Sequence, residues 1–284
     1  MPDTQPTLKS GFTLIEMSIV LVIIGFIVGG ILAGKDLIDA ASQRAQIAQI
    51  EKYRTAVRTF QGKYGGLPGD LETGTASQFG FYTTHCNNSG GNTGGMRDGN
   101  GLISGPLPLY PLAQTSGEVE VFWEDLTLAN LIDGTFPNSG VSTSFGCNGA
   151  MGNFSTASGA TPISAVLPVA KIGNGNYVYV YSINSYNWYG VSAVNAIPLD
   201  DIISANTAIT VLQAYNIDNK MDDGIATTGN VVAVWVNNSQ TSTSTVNAQA
   251  TDSATSCYNT SSNTYSIGIN GGNALNCALS FKFQ

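Results

Sequence analysis

Few side chains in this sequence are placed to do chemistry. There is one histidine, His85, and four cysteines, Cys86, Cys147, Cys257 and Cys277, with no CxxC pair among them. A zinc site needs several Cys or His ligands at short spacing, and that pattern is missing. Serines and threonines abound, but no GxSxG, HExxH, Walker or GxGxxG motif accompanies them, so the chain does not read as an enzyme. Glu124 and Asp125 are adjacent and would not face each other on a helix, so they do not form a catalytic pair. The stretch Asp98-Gly99-Asn100-Gly101 resembles a fragment of a calcium loop but lacks the later glutamate, and it reads as a tight turn. Asp218, Asp222 and Asp223 offer hard oxygen ligands in one short stretch. They are the candidate Ca2+ site, with a polar turn after a helix as the alternative; no other cofactor is expected. The remaining group is Glu16, the single charge among the 22 residues from Phe12 to Ala33. A carboxylate there costs about 2.5–3.5 kcal/mol on membrane-insertion scales, so it needs a partner or a role.

The element that must carry Glu16 is a helix. Twenty-two apolar residues at about 1.5 Å each span about 33 Å, enough for a bilayer core of about 30 Å. The pattern continues past Gly34 without proline to about Gln61, where Gly62 and Gly65-Gly66-Leu67-Pro68-Gly69 stop it. Ile50, Tyr53, Val57, Phe60 and Tyr64 recur at helical spacing, a stripe that calls for a soluble domain to cover it. The bases Arg44, Lys52, Arg54, Arg58 and Lys63 occupy much of the remaining surface, either as a solvated face or as a contact for acidic partners.

After the helix, residues 65–117 read as an irregular insertion. Glu118–Asp133 reads as an amphipathic helix stopped by Gly134. Strands are expected at Tyr177–Ile183 and Trp188–Val194, joined by a turn between Asn184 and Asn187. A helix is expected at Leu199–Ile217 and a strand at Asn230–Val236. A long polar loop follows, and the end is hairpin-like, with strands at Tyr265–Ile269 and Ala278–Phe283. The even cysteine count behind a membrane segment fits two disulfides in an oxidising compartment. Of three possible connectivities, Cys86–Cys147 with Cys257–Cys277 is the one expected.

The run Gly11-Phe12-Thr13-Leu14-Ile15-Glu16 ahead of an apolar helix resembles the GFTLIE signature of type IV prepilins and type II secretion pseudopilins. The resemblance is strong over about the first 50 residues and patchy beyond. It implies cleavage by prepilin peptidase between Gly11 and Phe12 and N-methylation of Phe12. It also implies pairing of Glu16 with the N-terminal ammonium of a neighbouring subunit, which would supply the partner this acid needs. The implied fold is α+β and pilin-like: a leader at 1–11, a stem helix at 12–63 with its membrane segment at 12–33, and a globular head at 64–284 with an antiparallel sheet. The cysteine pair near the end resembles the disulfide-bounded C-terminal region of type IV pilins. Many type IV pilins have a proline in the apolar helix; here Gly25, Gly29, Gly30 and Gly34 stand instead.

The implied function is a structural subunit of a type IV pilus-like or pseudopilus filament. Its partners would be further copies of itself, prepilin peptidase/methyltransferase and an inner-membrane assembly platform. The head would lie in the periplasm before assembly. Residues 1–63 carry seven bases and five acids, and residues 64–284 four bases and fourteen acids. So acidic a head disfavours nucleic acid as a partner. Only 11% of residues are charged, against about 25% in an average protein, which fits an exported surface. A different class of function, a tip adhesin, would use the aromatic strand residues Tyr177, Tyr179, Tyr181, Trp188 and Tyr189 as its binding surface.

Overall fold

The computed structural model describes residues 12–83, 97–105, 117–136, 154–156, 162–197, 203–237 and 242–284. The chain divides into two compact units, Met1–Ala41 and Ser42–Gln284. The fold is α+β, a long N-terminal helix followed by a globular head with an antiparallel sheet. The helix, α1, runs Leu14–Tyr64, three residues beyond the expected end. It is closed by Gly65 in the left-handed region (φ 84°), whose N–H reaches the Gln61 carbonyl at 2.9 Å.

In the first unit the helix buries nothing: Leu14 is 93%, Phe26 77% and Ile31 65% exposed. In the second unit Ile50, Tyr53, Val57 and Phe60 are buried, as the stripe requires, and Tyr64 is half-buried. Their neighbours are aromatic. Tyr53 meets Trp123 at 4.9 Å between ring centroids, and Phe60 meets Phe81 at 5.2 Å. The buried face also takes in Gln43 and Gln46, which polarity alone would have placed outside. Gln46 Oε1 accepts the Ile172 N–H at 3.0 Å, and Gln49 Oε1 accepts the Lys171 N–H at 2.9 Å, so two glutamines stitch the helix to one loop.

Two short helices follow, α2 (Thr73–Phe79) and α3 (Glu118–Leu128). α3 ends five residues before the expected Asp133. Asn130 turns left-handed (φ 57°), with Leu131 N–H on Leu126 O and Asn130 N–H on Thr127 O, a Schellman motif built on Asn rather than on Gly134.

The sheet centres on one long strand. After β1 (Phe154–Ser155) come β2 (Tyr177–Ile183) and β3 (Tyr186–Ile197), paired from Tyr177↔Ser192 to Ile183↔Tyr186. The hairpin turn is only Asn184-Ser185, both with positive φ, shorter than the expected Asn184–Asn187 turn. The expected helix at Leu199–Ile217 is corrected. Within its described part lies β4 (Ser204–Asn206), antiparallel to β3, and the helix α4 spans Val211–Met221. Thr210 sets that start through a capping box with Gln213.

The expected strand at Asn230–Val236 breaks at Ala233 into β5 (Val231–Val232) and β6 (Val234–Trp235), which join different sheets. The polar segment holds two short strands, β7 (Ser244–Thr245), antiparallel to β6, and β8 (Ala248–Gln249). β8 pairs in parallel with β9 (Tyr258–Asn259). Tyr265–Ile269 is not a strand, since Tyr265 makes one isolated bridge to Tyr258. β10 (Leu279–Lys282) lies between β3 and β5, antiparallel to both.

The aromatic strands do not form an outer surface. Tyr179, Tyr181 and Tyr189 are fully buried. Tyr179 lies over Gly190, where any Cβ would collide with its ring. Its hydroxyl accepts the Val236 N–H at 3.1 Å, and the Tyr181 hydroxyl donates to Ser280 Oγ at 2.7 Å. Burial pushes the Tyr179 phenol up to about 12.

Candidate functional site

The N-terminal site is built from four consecutive residues. Thr13 stands just before the first helical residue, and Glu16 occupies the third helical position. The Glu16 N–H donates to Thr13 Oγ1 at 3.3 Å, while Glu16 Oε2 accepts both the Thr13 N–H and its hydroxyl at 2.7 Å. This is a capping box, in which two otherwise unpaired groups at the helix start satisfy each other. It also places the carboxylate at the positive end of the helix dipole. Phe12 is 79% exposed, and Gly11 lies outside the described residues. The T-x-x-E spacing is the sequence signal of such a box, which the reading of Gly11–Glu16 as one signature passed over.

In the head, two groups of carboxylates converge, each with oxygens within 4.8 Å of one another: Asp70, Asp98 and Glu118, and Asp218, Asp222 and Asp223. In the second group every carboxylate accepts protein donors. Asp218 takes the Gly224 N–H at 3.2 Å and the Tyr265 hydroxyl at 2.8 Å. Asp222 takes the Asn230 and Val231 N–H groups. Asp223 takes the Ile225 N–H and the Thr228 hydroxyl at 2.8 and 2.7 Å. The three act as a clasp that folds the loop after α4 onto β5. They are also the residues that could hold a hard cation, although the hydrogen bonds close without one. Burial, opposed by the Tyr265 and Gly224 hydrogen bonds, leaves Asp218 raised to about 6.

The other group was not foreseen, because its members are far apart in sequence. Asp70 accepts the Asn100 and Gly101 N–H groups at 3.1 and 2.8 Å, and Glu118 accepts the Ser104 N–H at 3.0 Å. The two acids also hydrogen-bond each other. Burial first, and then the Asp70 charge, pushes Glu118 up to about 9, so the pair holds a proton at neutral pH. Asp98 caps its own turn by accepting the Asn100 N–H at 3.0 Å, as the turn reading requires.

Beside this pair lies the buried ion pair of Arg97 and Asp125, two N–H···O contacts at 2.8 and 2.7 Å with neither side chain exposed. Asp125 also accepts the Gly69 N–H at 2.8 Å. Gly69 has φ 85°, and a Cβ there would strike the Glu118 carbonyl. Arg97 Nε holds the Tyr82 carbonyl at 2.6 Å, so one guanidinium ties two distant segments to α3. Asp125 is therefore structural.

Cys257 and Cys277 form a disulfide with Cα atoms 5.1 Å apart, next to the bridge between Ile209 and Cys277. Cys86 and Cys147 lie outside the described residues.

The helix is long and apolar enough by length and composition to cross a membrane, and its one acid is held at its start by Thr13. In the comparison with protein families, residues 7–32 match the prokaryotic N-terminal methylation motif, the prepilin-type signature. That motif implies processing by prepilin peptidase and, in general terms, filament assembly, and with the apolar helix it points to a membrane-anchored protein. Neither the curated proteins nor the solved structures compared with the chain gave a match.

Proposed function

We propose that this chain is a filament subunit of the type IV pilus or type II secretion pseudopilus kind. It is cut after Gly11 and N-methylated at Phe12. It is then held in the bilayer by the apolar helix until it joins other copies, with its head on the periplasmic side. The observation that carries this reading is the methylation motif at residues 7–32, set on a helix whose apolar residues are uncovered for about thirty positions. Exposed apolar surface of that extent needs lipid or other helices around it.

The capping box gives Glu16 two successive partners in this scheme. In the single chain Thr13 satisfies the carboxylate, which lowers the cost of carrying it at the membrane. In the filament, the ammonium created at Phe12 of a neighbour supplies a full opposite charge. The Asp218, Asp222 and Asp223 clasp serves to hold the head's loop, and Ca2+ bound there would reinforce it.

The test is the N-terminus of protein purified from the native host. Mass spectrometry is expected to find a mature chain beginning at methylated Phe12, and Gly11→Ala is expected to leave full-length precursor in the membrane. An intact Met1 on the wild-type protein would overturn the proposal.

A further inference from the structure

Within the Ser42–Gln284 unit a groove of about 490 Å3 lies beside α1, between that helix and the loop 168–171 that precedes β2. Its walls are largely apolar. Ala45 and Ala48 project only methyl groups from α1, which leaves the space open, and Phe136 and the exposed Val169 line it from elsewhere in the chain. One wall is fixed by the core. Trp123 packs behind both Tyr53 and Phe136, at 4.9 and 6.3 Å between ring centroids. Gln49 fixes the opposite wall. Its Nε2 donates to the Val169 carbonyl at 2.9 Å and to the Tyr53 hydroxyl at 3.0 Å, and its Oε1 accepts the Lys171 N–H at 2.9 Å. A preformed apolar groove of this size, with a few polar groups converging on it, is the usual form of a small-molecule site.

The polar groups left over are donors. The Tyr53 hydroxyl accepts from Gln49 and donates to none of the described residues. Burial pushes its phenol up to about 12, so it keeps its proton at neutral pH. Lys171 is exposed, and none of the ion pairs among the described residues uses its ammonium. Lys52, by contrast, is committed to Asp133, whose carboxyl its hydrogen bond holds below the usual range. The rim therefore has two ammoniums and one carboxylate, a surplus of one positive charge. A cation would be repelled by that surplus, and a wholly apolar molecule would cover the phenol proton and leave it without an acceptor. Two donors held on either side of the Gln49 amide suit a group with two acceptor oxygens and a single negative charge.

We propose that this groove binds a free small monocarboxylate with an apolar aryl or acyl body. The body lies against Ala45, Ala48, Phe136 and Val169, and the carboxylate accepts from the Tyr53 hydroxyl and the Lys171 ammonium. The site asks nothing of the filament reading, because every residue in it belongs to one chain.

The experiment is equilibrium dialysis of naphthoate against the full chain in lipid nanodiscs, with empty nanodiscs as the blank. Saturable uptake is expected, one naphthoate to a chain. Lys171→Gln, which removes the ammonium, and Tyr53→Phe, which removes only the hydroxyl, are each expected to weaken binding about tenfold. Ala48→Leu is expected to fill the groove and abolish saturable binding. Lys171 and Ala48 are exposed, so those two variants probe the site without disturbing the core. Uptake no greater than that of empty nanodiscs, binding that survives Ala48→Leu, or an affinity indifferent to Lys171→Gln would each overturn the proposal.

Discussion

Residues 12–41 leave Leu14, Phe26 and Ile31 in the open, whereas residues 42–284 bury Ile50, Phe60 and Phe281 to zero exposure. Both regions are rich in aliphatic and aromatic side chains, and the same helix runs through both. The difference lies in what covers them. Among the described residues, the first region supplies no partner for its own apolar surface. The second closes an aromatic core in which Tyr189 stacks on Phe283 at 4.2 Å and Tyr53 packs on Trp123. The lesson is that hydrophobicity by itself does not define a core. The period of the pattern does, together with elements elsewhere in the chain that can answer it.

The largest effect that separates the regions is a truncation made once in each. Phe60→Ala removes a fully buried ring and is expected to lower the stability of the head by about 3–5 kcal/mol. Ile24→Ala, in a residue 50% exposed, is expected to leave the head's unfolding midpoint unchanged. Denaturant titration of the processed protein in detergent, followed by tryptophan fluorescence, reads both. A shift of more than about 1 kcal/mol for Ile24→Ala would break the comparison, because surface changes stay within about half that size.

A smaller effect sharpens the view of the second region as a closed unit with a proton inside. In the unfolded chain Glu118 ionises near 4.5, and in the head at about 9. Between those values the folded head keeps a proton that the unfolded chain has lost. Stability from this source is therefore fully present below about 4.5 and is lost as pH rises through about 9. Urea midpoints are expected to fall from pH 6 to pH 9, and Glu118→Gln, which keeps a hydrogen-bonding amide, is expected to flatten that slope. A wild-type slope abolished by millimolar Ca2+ would show a cation, not a proton, between Asp70 and Glu118. Asp218, raised to about 6, adds a fall of the same sign at lower pH.

Legibility differed between the regions for physical reasons. The apolar helix, its acid and the signature Gly11–Glu16 are local facts, readable from consecutive residues. The stripe of Ile50, Tyr53, Val57 and Phe60 was readable because helical period repeats over several turns. The pairing of Arg97 with Asp125, 28 positions apart, and of Asp70 with Glu118 carries no periodic signal, so the structure alone revealed them. The helix expected from Leu199 begins only at Val211. The Thr210-x-x-Gln213 box, which marked the true start, was in the sequence. The aromatic strands were found, but the alternative that would use them as a binding surface needs exposed rings, and Tyr179, Tyr181 and Tyr189 are buried. Ser192 and Ser280 are in fact buried, each bonded to a tyrosine hydroxyl.

The smallest predicted effect is also the most direct comparison, because each region uses the same device once. Thr13 with Glu16 opens α1, and Thr210 with Gln213 opens α4. Loss of a cap costs about 1 kcal/mol where the helix is part of a cooperative core. Thr210→Ala is therefore expected to lower head stability by about that amount in the same denaturant titration. Thr13→Ala removes equivalent hydrogen bonds from a helix start that nothing in its own unit buries, so the midpoint is expected not to move. Its consequence falls on Glu16, which loses the intrachain donors for its carboxylate and must meet the membrane less well satisfied. On the function proposed above, the expected readout is a lower fraction of processed chain recovered in the membrane, restored by Thr13→Ser, which returns the hydroxyl. If Thr13→Ala instead shifted the head's midpoint as Thr210→Ala does, the two parts of the chain would be one cooperative unit, and the contrast drawn between them would fail.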